Sequence, residues 1–260
     1  NGEAIRSAME SRYLELKDRA WASVLRSTET LSKLSSKVQK QAEAQFEDIK
    51  KMEFSASNVY GFLLGLVHSA PDMQMDMMCD VFDEITAYHS DNTVFYKGWK
   101  SNDRHLTCGR RIKTTRFILP RNRSYYDGSL DWDALQRLAD FDKVFAMLDG
   151  KPKPAVSLVD VFSKMSYEAR NAKRVQTSYF DVRYFKGVGT LHFFPRSKEL
   201  IDRLNRLVGQ RRAWLPPATE TVPEAFWLQY DKAEKFDQEF RREVLQQAKA
   251  DHKGSYFGRW

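Results

Sequence analysis

At Thr93 the spacing of hydrophobic residues in this chain changes from helical to strand-like, so neither an all-helical nor an all-strand fold accommodates both halves. Before that point apolar residues recur every three or four positions: Ile5, Met9, Tyr13, Leu16, Ala20 and Val24, then Leu31, Leu34, Val38, Ala42, Phe46 and Ile49. Charged residues occupy the positions between, as in helices that bury one stripe. Ser27-Thr28-Glu29-Thr30 interrupts the run and offers a helix start, which predicts one long helix or two meeting there. Ser55 to Ser57 caps an apolar helix to about Ser69. Pro71-Asp72 opens a third, Met73 to Tyr88, whose methionines are read as core.

After Thr93 the signals are mixed. Thr93 to Trp99 is aromatic and β-branched, and Gly109 to Leu119 reads as one strand stopped by Pro120. Asp131 to Leu148 has helical spacing closed by Gly150, and Ser157 to Ala169 reads as another amphipathic helix. Residues 178–186 and 190–195 form a β-hairpin around Gly187-Val188-Gly189. Ser197 caps a helix with the stripe Leu200, Ile201, Leu204, Leu207 and Val208, ended by Gly209. Pro223 opens a last long helix to about Lys249. The expected class is α+β: a helical, bundle-like region over 1–92, then a basic mixed α/β region over 93–260 with a small antiparallel sheet covered by helices.

Charge follows the same division. The net charge of +7 combines residues 1–96, with 10 Lys/Arg against 15 Asp/Glu, and residues 97–260, with 32 against 20. A half that carries +12 beside one that carries −5 points to a polyanionic partner for the basic half. Two lone cysteines, Cys79 and Cys108, fit a reducing compartment, and cytoplasm is the expected location. Asn1 to Glu10 has no basic segment followed by an apolar run, and no apolar stretch approaches bilayer length, so neither a leader nor a membrane span is expected.

The basic window Lys97 to Arg123 concentrates the chemistry. Lys97, Lys100, Arg104, Arg110, Arg111, Lys113 and Arg116, with Arg121 and Arg123, face a single acid, Asp103, and are interleaved with Tyr96, Trp99, Phe117, Tyr125 and Tyr126. Cations neutralise phosphates and aromatic rings stack on unpaired bases. Lys97, Trp99, Lys100, Arg104, Arg110, Arg111, Lys113 and Arg116 are therefore the candidate nucleic-acid contacts. A second basic group, Arg196, Lys198, Arg203, Arg206, Arg211 and Arg212, is diluted by Glu199 and Asp202.

Catalytic candidates are sparser. In the hairpin, a three-residue loop at Gly187 to Gly189 sets His192 opposite Tyr184. A two-residue loop at Val188-Gly189 sets His192 opposite Phe185, on the face of Asp181 and Arg183. In that register Asp181, Arg183 and His192 could support acid–base or phosphodiester chemistry. The ordinary alternative is an Asp181–Arg183 salt bridge beside a histidine bonded to main chain. Asp103 and His105, with His89 and Asp91, are two loose pairs of metal-capable side chains, short of the converging set that a metal needs. The sequence has no P-loop, no Gly-rich dinucleotide turn and no HExxH helix, so no cofactor is expected, and a divalent metal only if the protein is a nuclease.

Three stretches together are distinctive: Phe95-Tyr-Lys-Gly-Trp-Lys-Ser-Asn102, Arg110-Arg-Ile-Lys-Thr-Thr-Arg-Phe-Ile118, and Tyr179-Phe-Asp-Val-Arg-Tyr-Phe-Lys-Gly187 with Leu191-His-Phe and the Leu200 to Asn205 helix. Over roughly residues 50–215 the chain resembles an uncharacterised domain family of bacterial mobile elements, found on plasmids, prophages and genomic islands and sometimes joined to DNA methyltransferase modules. The resemblance implies a setting of DNA mobility, restriction or phage conflict, and brings no activity or catalytic residues with it. The functional expectation is a nucleic-acid-binding accessory protein, DNA or RNA, of such an element. The alternatives are a nuclease or nucleotide-acting enzyme centred on the 178–194 hairpin with His105 in support, and a protein–protein adaptor that engages its partner through the acidic N-terminal helices.

Overall fold

In the computed structural model the described residues are 2–27, 33–88, 90–102, 104–120, 130–164 and 174–237, with 239, 242, 243 and 246. Packing divides the chain into two compact units, Asn1–Met77 and Met78–Trp260.

The first unit is helical. Helix α1 (Gly2–Ser27) precedes α2 (Ser36–Lys50), whose start is set by Ser35: its hydroxyl accepts the Val38 N–H at 3.4 Å. The 28–32 stretch, where a junction or cap was expected, lies outside the described residues. The core forms around Trp21, fully buried, with Phe46, Phe54 and Phe62 meeting it edge-on at 5.2–6.1 Å. Its indole donates to the Met52 carbonyl at 3.3 Å. The predicted stripe of α1 is not buried at its start: Ile5, Met9, Tyr13 and Leu16 are all more than half exposed, and the helix gains its packing from Trp21 onward. Periodicity identifies a helix and an apolar face, but what covers the face is a tertiary matter.

Helix α3 runs unbroken from Ala56 to Tyr88, which corrects the expectation of two helices divided at Pro71. Proline removes one N–H from the ladder at a cost of about 3 kcal/mol. The turns on both sides outweigh that local loss, and Ser69 donates its hydroxyl back to the Gly65 carbonyl at 2.8 Å just before it. The division between the two units falls inside this helix.

The second unit is α+β with antiparallel sheets. After a single 3-10 turn, Ser90–Asn92, strand β1 (Thr93–Lys97) pairs with β2 (Cys108–Ile112) as a two-stranded ribbon. Strand β3 (Phe117–Leu119) belongs to a different, four-stranded sheet of order β3-β6-β5-β4, with β4 Val175–Gln176, β5 Phe180–Phe185 and β6 Thr190–Pro195. The single strand expected over 109–119 is thus two strands. Residues 113–116 turn between them, held where Thr114 and Thr115 donate to the Glu234 carboxylate.

Helix α4 (Trp132–Leu148), capped by the Asp131 carboxylate on Ala134 N–H at 2.8 Å, covers the inner face of the four-stranded sheet. There Phe117, Phe141, Phe145, Phe180 and Phe193 interlock, with Phe117 and Phe193 stacked at 5.0 Å. Each such ring contributes about 1.5–3 kcal/mol by leaving water. Gly150 follows with φ 70°, as a helix-ending glycine should. The predicted helix from Ser157 is described as α5, Leu158–Lys164, and its further length lies outside the described residues.

Helix α6 (Lys198–Arg211) begins at its Ser197 cap as expected, but Gly209 does not end it. Ala213 takes the left-handed position at φ 55°, and Trp214 N–H bonds the Gly209 carbonyl at 2.8 Å. Gly209 instead admits Leu215, whose Cδ1 would lie 2.8 Å from an added Cβ. Helix α7 runs from Glu224 to Lys232; a turn at Ala233–Lys235 interrupts the predicted last helix, and residues 237, 239, 242, 243 and 246 are helical again. The ribbon packs on α6 and α7 through Val94, Tyr96, Leu215, Tyr230 and Ala233.

Three side-chain amides each grip both main-chain groups of one strand residue. Asn92 Oδ1 accepts Ile118 N–H at 2.8 Å and its Nδ2 donates to Ile118 O at 2.7 Å. Asn205 does the same to Ile112, at 2.8 and 2.9 Å, and Gln229 to Lys97, at 3.4 and 2.8 Å. A carboxamide carries one donor edge and one acceptor edge and so imitates a neighbouring strand.

Asp142, buried on α4, accepts Leu158 N–H at 2.7 Å and so starts α5. Burial pushes its carboxyl from 3.8 up to about 6 against the hydrogen bonds from Ser157, Leu158 and Val159 that pull it down. The folded protein therefore holds this proton more tightly than the unfolded chain, and the stabilisation is complete below pH 3.8 and lost as pH rises through about 6. Asp142→Asn keeps the acceptor and abolishes the titration. Denaturant unfolding of both proteins should show the wild type gaining about 2 kcal/mol on the variant between pH 7 and pH 4, and a constant difference would refute this.

Candidate nucleic-acid interface

Two surfaces of the second unit carry the residues singled out from the sequence. The first is built on the ribbon. Gly98 N–H bonds Thr107 O at 2.8 Å, and a Cβ on Gly98 would lie 2.2 Å from Thr107 Oγ1. The loop between them is internally bonded: Asn102 Oδ1 accepts the N–H groups of Arg104 and His105 at 2.9 and 2.7 Å, and Ser101 Oγ accepts Thr107 N–H at 2.9 Å. Lys100, Arg104 and His105 are thereby held on an ordered, solvent-facing tip. The Trp99 indole donates to Ala213 O at 3.1 Å, and the Lys100 ammonium lies 4.6 Å from the Trp99 ring centre.

That indole contact joins the tip to a second cluster. Arg212 bonds Asp83 through two nitrogens, at 2.7 and 2.5 Å, and Asp83 holds its guanidinium more firmly protonated than usual. Arg110 reaches the same carboxylate only at 3.5 Å and stays 37% exposed. Both guanidiniums lie over Trp214, at 5.5 and 5.2 Å. One carboxylate between two arginines leaves a net positive site with a flat aromatic floor, and Arg110 is the less committed of the pair. Cys108, next to Arg110, has its thiol pushed up to about 11 by burial, which makes it a poor nucleophile.

The remaining members of the basic window are divided by burial. Arg111 is 4% exposed; it donates to Tyr230 O at 3.1 Å, stacks on the Tyr230 ring at 4.8 Å and faces Glu234 at 3.8 Å. Lys113 pairs with Asp237 at 2.9 Å. These two tie the ribbon to the segment after α7 and are withdrawn from the interface. Arg116 is exposed in the turn before β3, while Lys97 is half-buried with its main chain held by Gln229. In the second basic group, Arg196 bonds Thr177 O, Arg203 bonds Leu148 O, and Arg206 pairs with Asp202 on its own helix and reaches Asp231 and the Trp227 ring of α7, so these side chains hold elements together. Trp214 is absent from the candidates drawn from the sequence. The pair Arg211-Arg212 two residues before a tryptophan was the available signal.

The second surface is the hairpin. Lys186–Val188 form a 3-10 turn, and pairing resumes with Phe185 opposite Thr190, a four-residue connection in place of the two- or three-residue loops expected. Arg183 is directly opposite His192 and Asp181 opposite Phe194, so Asp181, Arg183 and His192 do share a face. Asp181 and Arg183 form no ion pair among the described residues. Arg183 lies 4.7 Å over Phe185, whose ring is 4.3 Å from the His192 ring. His105 lies in the loop between β1 and β2 and not on the hairpin. Asp103 and His89 lie outside the described residues, and among those described no three His, Cys, Asp or Glu side chains converge as metal ligands.

With the geometry in view, comparison with known proteins gives one result. A family model described as a domain of unknown function, DUF4942, matches residues 13–214. The chain belongs to this family. The DUF4942 match takes in both sheets and α6, runs on to Trp214 and stops before α7. No curated protein and no solved structure matches the chain. No described helix of this DUF4942 protein is long and apolar enough to cross a membrane.

Proposed function

We propose that this DUF4942 protein binds nucleic acid through the ribbon surface formed by Trp99, Lys100, Arg104, Arg110, Arg212 and Trp214. The observation that carries the reading is the pair of arginines over Trp214, joined by the Trp99–Ala213 hydrogen bond to an ordered basic tip. Guanidiniums supply phosphate contacts and the indoles supply stacking area. Arg111 and Lys113, considered from sequence, have a structural role in this reading. The setting, an accessory protein of a mobile element or of a restriction or phage-conflict system, is supported by the resemblance of the three quoted stretches.

The test is fluorescence anisotropy with short DNA and RNA at two salt concentrations. The triple variant Lys100→Glu, Arg104→Glu, Arg110→Gln should weaken binding on the order of a hundredfold and flatten the log K–log salt slope by about 0.9 for each phosphate contact removed. Unchanged affinity in a folded variant would remove the reading. A second reading, an enzyme acting on nucleic acid, draws on the shared face of Asp181, Arg183 and His192. The same mixtures incubated with magnesium and resolved on a denaturing gel decide it, since intact strands exclude a nuclease.

A further inference from the structure

Strand alternation gives the four-stranded sheet two faces. One is the phenylalanine core under α4, and the other carries Asp181, Arg183 and Phe185 from β5 and His192 and Phe194 from β6. On an antiparallel sheet packed on one side, the outer face is ordinarily polar. Here it holds two phenylalanines and a histidine, each half-buried, beside exposed arginines. The Arg174 guanidinium sits 3.6 Å from the Phe194 ring centre, and Arg183 sits 4.7 Å from that of Phe185.

We propose that this face is a stacking platform for the bases of a single-stranded nucleic acid, an inference that rests on the nucleic-acid reading above and narrows its substrate to unpaired strands. Aromatic faces backed by guanidiniums accept any base by stacking, while the arginine charges meet the backbone. The spacing favours an unpaired strand. Phe194 and His192 are two residues apart on β6, roughly 6.7 Å, twice the 3.4 Å that stacked nucleotides advance per strand. Bases seated on both must be splayed from one another, which a single strand permits and a duplex does not.

The test compares wild type, the double variant Phe185→Leu/Phe194→Leu, Arg183→Ala, and the Lys100/Arg104/Arg110 variant, each shown folded by circular dichroism. Leucine keeps the apolar volume and removes the π-face. Probes are a fluorescein-labelled 20-nucleotide DNA strand, the matching RNA and the DNA duplex, in anisotropy titrations. The double leucine variant should lose roughly tenfold or more on both single strands and keep wild-type affinity for the duplex. Arg183→Ala should weaken single-strand binding and reduce its salt slope. Wild-type affinity of the leucine variant for single strands, or an equal loss on the duplex, would overturn the platform while leaving the ribbon reading in place. If wild type binds none of the probes at low salt, the nucleic-acid reading itself falls and the platform with it.

Discussion

Replacing Asn205 by leucine should destabilise the second unit by about 4 kcal/mol, an effect read as a drop of about 12 °C in melting temperature. Asn205 is 1% exposed, and its carboxamide satisfies both the N–H and the C=O of Ile112, at 2.8 and 2.9 Å. Leucine fits the volume but leaves two buried main-chain groups without partners, and unmade bonds of that kind are the costly ones. Asn205→Asp provides a finer test. At neutral pH its carboxylate still accepts Ile112 N–H, but it sets a negative charge against Ile112 O. Protonation restores a donor there, so this variant's deficit should shrink as pH falls, while the leucine variant's deficit stays constant. A leucine variant that melts within about 3 °C of wild type would show that the clamp is not needed.

Gly109→Ala should be nearly as damaging. Gly109 pairs with Tyr96 across the ribbon, and the Tyr96 ring lies flat over it: an added Cβ would fall 2.3–2.7 Å from Cε2, Cζ and Oη. The ring cannot swing aside, because it is fully buried and meets Tyr230 edge-on at 4.9 Å. Forcing a methyl group into such a site costs about 3 kcal/mol. Combining Gly109→Ala with Tyr96→Leu should recover more than about 1 kcal/mol of the summed losses, because both changes act on one contact. Strict additivity in chemical unfolding would place the strain elsewhere.

What was legible in the sequence was local. The Asp131 cap, the Gly150 terminus, the Ser197 cap and the 178–195 hairpin each depend on a few adjacent residues, and each formed where read. Residues 109–119 misled because nothing within Lys113 to Arg116 breaks a strand; the bend is held by Glu234, 120 residues later. Pro71 misled in the opposite sense, since a local helix breaker was overridden by the turns on both sides. For the candidate site, charge density located the ribbon but could not separate Arg111, buried on Tyr230, from Arg110, open over Trp214. That distinction lies in partners supplied by α7 and by the chain after α6. The hairpin's shared face formed in a register that neither expected loop gives, with His192 opposite Arg183 across a four-residue turn.

The three amide clamps also determine what the protein can be joined to. Asn92, Asn205 and Gln229 occupy the outer borders of β3, β2 and β1, and the remaining border, β4, is two residues long. Among the described residues, a strand from another chain would meet a border already occupied at Ile118, Ile112 or Lys97. Recruitment by strand addition, a common way for peptides to attach to sheets, is therefore hindered on these borders. So is the runaway stacking that turns open sheets into fibres. At high concentration this unit should remain dispersed where a similar sheet with bare margins would polymerise.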